Sequence, residues 1–420
     1  MNILIQLSHP AHFHLYKKVA QSLIDNGNKV LFVIKSKDIL ETLLQNAGLP
    51  YVNINQYAHR GSKFGVVWDM LIRDWRIIKL CRKHKIDLIT GSTPETAHVS
   101  WLLRIHGVNT GEDDLAVVPM FQYVAGPFMQ CGLSPDSCDE GALERVGVHY
   151  PGYHELAYLH PNHFTPDSEI VRSYGIPVPQ SPSKLGLFHS ASDSQLVPQI
   201  PNSSFNSEEK EQAEPYFILR FASLNAHHDS GIKGINTEVA QRLIDILSPH
   251  GRIYITSERP LEPQFEQYRI KINPLDMHHV MAFASLYIGD SQTMAAEAGV
   301  LGVPFVRFND FVGRIGYLRE LEDKYELGYG VHASVLADDS PIRRADGSAQ
   351  PSGVEALYGR VEQLVAMPTE ERKEIFQARR EKMLAEKIDC AKFLTWFIEN
   401  YPASAEETKK SNAEFWKKFK

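Results

Sequence analysis

Residues 286–308 read LYIGDSQTMAAEAGVLGVPFVRF, and the order of residue types in this stretch decides the fold. An apolar run of strand length stops at Gly289-Asp290. Ser291, Gln292 and Thr293 then open a helix. Glu297 lies one turn into it, and Gly302-Val303-Pro304 ends it and starts the next strand. A helix start carries unpaired N–H groups and a partial positive charge, which seat a phosphate well. Small hydroxyl residues there let the phosphate approach, and a carboxylate about one turn on can accept two hydrogen bonds from a ribose diol. In an open α/β sheet, ligands bind at this edge, beyond the C-terminal ends of the strands. The same residues also fit an ordinary capped helix with Glu297 in solvent.

Working outward, the same rhythm recurs on both sides. Before it stand strand-like 216–221 (YFILRF), a helix over 236–248, strand-like 252–257 (RIYITS), a short strand at 269–272 and a helix over 275–284. The first half repeats the alternation: strands at 2–7, 29–34, 50–54 and 86–90, with helices at 38–47, 67–84 and 95–106 and a further helix after residue 10. Alternation of this kind predicts parallel sheets covered by helices on both faces. Residues 177–214 are rich in Pro and Ser and read as a linker or surface insertion. The division that follows is a Rossmann-like domain over 1–176, the 177–214 linker, a second Rossmann-like domain over 215–350, and C-terminal helices and tail over 351–420. Those helices are expected to cross back to the first half.

The bulk numbers narrow the class. A length of 420 residues exceeds one ordinary core. The formal charge of −7, with no large basic block, disfavours nucleic acid as a partner. The four cysteines form no CxxC pair, which suits free thiols in a reducing compartment. The start MNILIQLSHP has no basic leader and no apolar run reaches about 20 residues, so a cytoplasmic protein is expected. Peripheral membrane contact and a homodimer stay open.

Three other groups of residues could carry chemistry. Ser8-His9-Pro10-Ala11-His12-Phe13-His14 follows the first strand, so its side chains should face a cleft. Pro10 suits the first turn of a helix. A histidine there can carry a proton or donate to a ligand. A metal reading ranks lower, because no carboxylate lies beside His9, His12 and His14, and His12 and His14 point to different helix faces. His14 also fits simple packing. Gly111-Glu112-Asp113-Asp114 follows strand-like Gly107-Val108, and three adjacent carboxylates by themselves read as a solvated turn. The stretch Phe221–Gly234 has Asn225, His227, His228 and Lys233 in a loop that could line a diphosphate, or simply move. His278 and His279 read as surface or packing residues, and Tyr150-Pro151-Gly152-Tyr153-His154-Glu155 as a hinge-side segment.

Residues 269–308 resemble the nucleotide-binding half of GT-B enzymes. The non-hydrolysing UDP-N-acetylglucosamine 2-epimerases have a similar strand, Asp-Ser turn, helix glutamate and Gly-x-Pro. The resemblance implies a GT-B architecture, two Rossmann-like domains facing across a cleft. It implies Ser291, Gln292 and Thr293 for phosphate and Glu297 for ribose. Glu112 falls where the epimerases place a glutamate, but Ser92 and Thr93 stand where they place a catalytic aspartate, which counts against epimerisation. SHPAHFH at 8–14, GEDD at 111–114, YPGYHELAYLHP at 150–161 and the 289–304 block together also resemble a prokaryotic GT-B-like domain-of-unknown-function family.

The resulting expectation is a GT-B-type glycosyltransferase in surface polysaccharide or glycolipid assembly. Its donor would be a nucleoside diphosphate sugar, UDP favoured, and its acceptor a sugar or glycolipid, with no tightly bound cofactor and no metal. His12 or Glu112 would be the base. Ser291, Gln292, Thr293, Glu297, Asn225 and Lys233 would hold the nucleotide. His9, His14, Ser92, Thr93 and Asp290 would line the cleft. The rival readings are a nucleotide-sugar 2-epimerase and a non-catalytic sugar-nucleotide or glycan-binding protein.

Overall fold

The computed structural model describes residues 1–35, 38–55, 63–178, 214–222, 233–337 and 339–420. Most of the Pro/Ser-rich segment and the loop that holds Asn225, His227 and His228 lie outside them. The first sheet has seven parallel strands in the order β3-β2-β1-β4-β5-β6-β7. They are β1 Asn2–Leu7, β2 Lys29–Lys35, β3 Tyr51–Asn55, β4 Leu88–Gly91, β5 His106–Thr110, β6 Gly132–Pro135 and β7 Gly147–Tyr150. The second has five, β8 Tyr216–Phe221, β9 Arg252–Ser257, β10 Leu286–Gly289, β11 Phe305–Asn309 and β12 Gly328–His332, in the order β12-β11-β10-β8-β9. Ile3, Leu4, Ile5 and Leu7 of β1 are all fully buried. A strand flanked by helices on both faces must be apolar on both, which is why these runs do not alternate.

The expected strand at 269–272 is reduced to one parallel bridge, Ile255 to Arg269. Charged Arg269 and Lys271 alternate there with isoleucines at an exposed margin, and the pairing stops. The helix expected over 275–284 is shorter, a 3-10 turn Pro274–Asp276 and then Met277–Ala282. Strands β6, β7 and β12 carry no apolar run that announces them: GLSP, GVHY and GYGVH.

The C-terminal helices do cross back. Helix Gly353–Ala366 packs on the second sheet, whereas helix Cys390–Glu399 lies along helix Pro10–Asp25 of the first half. Glu399 there accepts from the side-chain amides of Asn26 at 3.0 Å and Asn28 at 2.7 Å. The halves also meet directly. Gly316 N–H donates to Asp114 Oδ2 at 2.6 Å. A Cβ on Gly316 would sit 1.9 Å from the Ser137 carbonyl oxygen, so only glycine permits this approach. Buried Lys387 bridges Glu320 (2.7 Å) of the second half and Asp136 (3.2 Å) of the first.

Candidate active site between the two sheets

On the second half, β10 ends as read from sequence, and Ser291 caps helix Gln292–Val300 by accepting from Met294 N–H at 3.4 Å. Ser291, Gln292 and Thr293 are half-buried at this helix start. Asp290 turns away from it. Its carboxylate accepts from Ala222 N–H (2.6 Å) and Ile235 N–H (3.3 Å), tying together the two ends of the loop after β8. Burial lifts its pKa to about 6 in spite of those donors. Lys233 is exposed, and its backbone N–H donates to Asp310 at 2.9 Å. Arg307 was not anticipated. Fully buried on β11, it is paired with Glu322 at 2.9 Å and donates to Gln292 Oε1 at 3.0 Å, fixing the first side chain of the helix. A lone arginine inside an apolar strand, FVRFN, is the signal that would have found it.

Glu297 is buried where both halves meet. Its Oε1 accepts from Tyr158 OH of the first half at 2.8 Å and contacts His278 Nε2 at 2.9 Å. His14 completes the group, its ring centroid 4.9 Å from His278 and 5.3 Å from Tyr158. Burial alone would raise the Glu297 pKa, but His278, His14 and the Tyr158 hydroxyl together hold it below the usual carboxylate value. Burial, then His278, drives His14 down to about 3, so its ring is neutral. His278 is therefore a partner of Glu297 and not a surface residue.

A second group surrounds the start of helix Pro10–Asp25. His9 caps that helix, its Nδ1 accepting from Ala11 N–H at 3.2 Å, with Pro10 in the first turn as expected. His12 Nδ1 lies 3.4 Å from both the N–H and the hydroxyl of Ser8. Burial first, then His9 and His154, pushes its pKa to about 3. An imidazole that acidic is a poor base near neutral pH and serves better as a hydrogen-bonding ring. Glu112 accepts from His154 N–H at 2.7 Å and lies 3.3 Å from His154 Nδ1. Burial also drives His154 down to about 3. Glu155 follows it, buried, with Oε2 unpartnered. Burial raises Glu155 to about 8, with Glu297 adding to the rise, and raises Glu112 well above its ordinary value, with Glu155 adding. The segment 150–155, read from sequence as hinge-side, thus supplies two of the four titrating groups. Burial suppresses the ionisation of Tyr317 of the second half, with Glu155 and Glu112 adding to the effect.

Ser92 and Thr93 follow β4, the neighbour of β1 in the sheet, and bring no carboxylate. Ser92 Oγ is 3.0 Å from Thr110 Oγ1, which in turn meets the Tyr16 hydroxyl at 3.1 Å. Thr93 caps helix Pro94–Leu103 by position, and its buried hydroxyl has no partner. Glu95 does not replace the missing acid. It is buried on Arg73 at 2.5 Å; burial opposes its charge, but Lys35 and Arg73 hold its pKa at about 2. Among the described residues, no three His, Cys, Asp or Glu side chains are grouped to hold a metal ion.

No protein-family model matches the sequence, and no curated protein matches it. Solved structures do resemble the fold. Spinosyn rhamnosyltransferase SpnG complexed with spinosyn aglycone aligns with a TM-score of 0.53 at 13% identity, over 95% of this chain and 100% of that one. S. aureus MnaA in a co-structure with UDP aligns at 0.57 and 10% identity, over 97% and 98%. Methanocaldococcus jannaschii UDP-GlcNAc 2-epimerase, in complex with UDP-GlcNAc and UDP, aligns at 0.54 and 14% identity, over 88% and 94%. Likenesses at this identity establish the architecture, two Rossmann-like sheets in a GT-B arrangement, shared by transferases and epimerases.

Proposed function

We propose that this chain transfers a sugar from a nucleoside diphosphate donor to a hydroxyl acceptor, with the nucleotide on the second half and the acceptor on the first. One observation carries the reading. A carboxyl whose pKa burial raises to about 8, Glu155, lies three residues from Tyr158, and Tyr158 bonds Glu297 on helix Gln292–Val300, which Ser291 caps. That bond would tie the proposed base to the proposed phosphate seat across the halves. The diphosphate would meet the N–H groups of Gln292 and Thr293, and the ribose would share or displace the partners of Glu297. Glu155, with Glu112 beside it, would take the proton of the acceptor hydroxyl as its oxygen bonds the anomeric carbon. The bond from that carbon to the diphosphate breaks, and the electron pair leaves with the diphosphate, whose charge the helix N-terminus stabilises. His12 would orient the sugar as a neutral donor. The acceptor is proposed to be a sugar or glycolipid of surface polysaccharide assembly, and UDP the first nucleotide to try.

The neighbouring acids Glu112 and Glu155 also suit an epimerase, which needs an acid and a base at one ring, but the carboxylate-free Ser92-Thr93 turn does not. The deciding experiment incubates UDP- and dTDP-sugars with and without hydroxyl acceptors. Acceptor-dependent release of nucleoside diphosphate supports transfer. Isomerised donor without release replaces it with epimerisation. If no nucleotide in a panel raises the melting temperature, both readings fail.

A further inference from the structure

Twelve large apolar side chains are exposed among the described residues, and nine of them lie between Val66 and Tyr123. They belong to helices Lys63–His84, Pro94–Leu103 and Met120–Val124. Trp68, Trp75 and Trp101 are 57%, 55% and 55% exposed, and Leu71, Met120 and Tyr123 accompany them. His98 joins the three helices into one face. Its Nδ1 lies 3.0 Å from Asp74 of the first helix, and its Nε2 is 2.8 Å from the Val124 carbonyl of the third. Phe128 packs edge-on against both His98 and Trp101. An apolar patch of this breadth on a folded surface marks an interaction site.

Charge and residue type choose the occupant. The chain carries −7 overall, yet residues 66–85 hold six Lys or Arg against two Asp. Lys79, Arg82, Lys83 and Lys85 at the end of the long helix are exposed, and Lys79 Nζ lies 3.4 Å above the Trp75 ring. Three of the five tryptophans of the chain are on this face. Tryptophan and tyrosine with flanking cations suit the boundary between lipid headgroups and acyl chains. A second copy suits the face less well, because a two-fold axis through it would set its own basic stripe against itself. No helix among the described residues is long and apolar enough to cross a membrane, so contact would be from one side only.

We propose that this three-helix face docks on the surface of an anionic phospholipid bilayer. Trp68, Leu71, Trp75 and Trp101 enter the headgroup boundary, while Lys79, Arg82 and Lys83 meet lipid phosphates. The inference stands on the face alone and does not depend on the nucleotide reading. The test sediments the full chain with vesicles of phosphatidylcholine alone or mixed with phosphatidylglycerol, and follows tryptophan emission. Binding to the mixed vesicles with a blue shift, reversed by high salt, is expected. Trp68→Ser with Trp75→Ser should weaken it at least about tenfold and remove most of the shift. Lys79→Glu with Arg82→Glu should abolish the preference for phosphatidylglycerol. These side chains are exposed, so the melting temperature and nucleotide binding of the variants should match the parent. No binding to either vesicle, or equal binding to both, overturns the proposal. So does a dimer in light scattering that the tryptophan variant converts to monomer.

Discussion

Two buried groups of carboxyl and imidazole side chains flank the short His154–Ala157 turn, and they hold their protons in opposite ways. At Glu297, burial works against charge but is outweighed by His278 and the Tyr158 hydroxyl, which both reach the carboxylate, so it is held ionised. At Glu155 and Glu112, burial wins. Each acid adds to the cost of ionising its neighbourhood, and the imidazoles of His12 and His154 are neutral and offer no compensating charge. Residue type is the same on both sides. What differs is the partner: His278 and the Tyr158 hydroxyl reach Glu297, whereas Glu112 meets only the neutral His154 and Glu155 Oε2 meets none, and that difference decides which acid binds a fixed partner and which can exchange a proton.

The largest expected effect follows from removing the exchangeable proton. Glu155→Gln imitates the protonated acid, so the fold should tolerate it while transfer falls by about 10²–10⁴-fold, the usual worth of a general base. The pH course separates chemistry from stability. A base with a pKa raised to about 8 must lose its proton to act, so kcat/KM in the parent should climb as the pH passes about 8. Stability should move the other way. The folded state holds this proton more tightly than the unfolded chain, so stability declines as pH rises from the ordinary carboxylate value through about 8. Glu155→Gln should lose both trends, and its melting temperature should exceed that of the parent increasingly toward alkaline pH. A variant that keeps the activity limb near 8 assigns that limb to another group and removes Glu155 as the base.

Glu297 gives a smaller effect of a different kind. Glu297→Gln keeps the shape and discards the charge, so nucleoside diphosphate binding should weaken by roughly 1.5–3 kcal/mol, the worth of a hydrogen bond to a charged group. A 2′-deoxy nucleotide should bind the parent poorly and be discriminated less by the variant. Titration calorimetry measures both. Unchanged affinity in the variant would show that Glu297 serves only to tie Tyr158 and His278 together.

How much of this was legible in the sequence depended on whether the signal was local. Strands β1, β2, β8, β9 and β10 are apolar runs that announce themselves, and the Ser291 cap and Pro10 in a first turn are local helix chemistry. Strands β6, β7 and β12 are four or five residues containing Gly or Pro, and only their neighbours in the sheet make them strands. The same divide runs through the candidate site. Glu297 could be singled out from the turn and helix around it, and Glu112 only through the resemblance to the epimerases. Glu155, His278 and Arg307 could not be assigned, because their partners lie far away in sequence: Glu155 is influenced by Glu297, His278 contacts Glu297, and Arg307 reaches Gln292 and Glu322. Asp290 stood in the right place, but its carboxylate is spent on Ala222 and Ile235.

The three acidic imidazoles provide a further contrast. His12, His14 and His154 have pKa values near 3 in the folded chain against an ordinary 6.5. The unfolded state therefore binds more protons between those limits, and stability should be lost as pH falls from 6.5 toward 3. His14→Phe keeps a ring against Tyr158 and His278 and should make the acid limb of the melting curve shallower. An unchanged limb would mean that protonation elsewhere unfolds the chain.

The smallest effect should come from one hydroxyl. Tyr158→Phe removes the donor to Glu297 Oε1 but leaves His278 at 2.9 Å on the same oxygen and leaves the ring against His14. The loss should be roughly 1–2 kcal/mol, between the worth of a neutral hydrogen bond and one to a charged group. Its pH dependence identifies the cause. The Tyr158 hydroxyl is one of the groups that depress the Glu297 pKa, and a depressed carboxylate contributes stability that is present above its unfolded value and fades as pH falls through its folded one. The stability gap between parent and variant should thus be full at neutral pH and shrink below the ordinary carboxylate range, where Glu297 becomes neutral. Taking the difference between the two proteins cancels the titration of the histidines to first order. A gap that stays constant with pH would assign the loss to packing, and the bond across the two halves would then contribute nothing through the charge of Glu297.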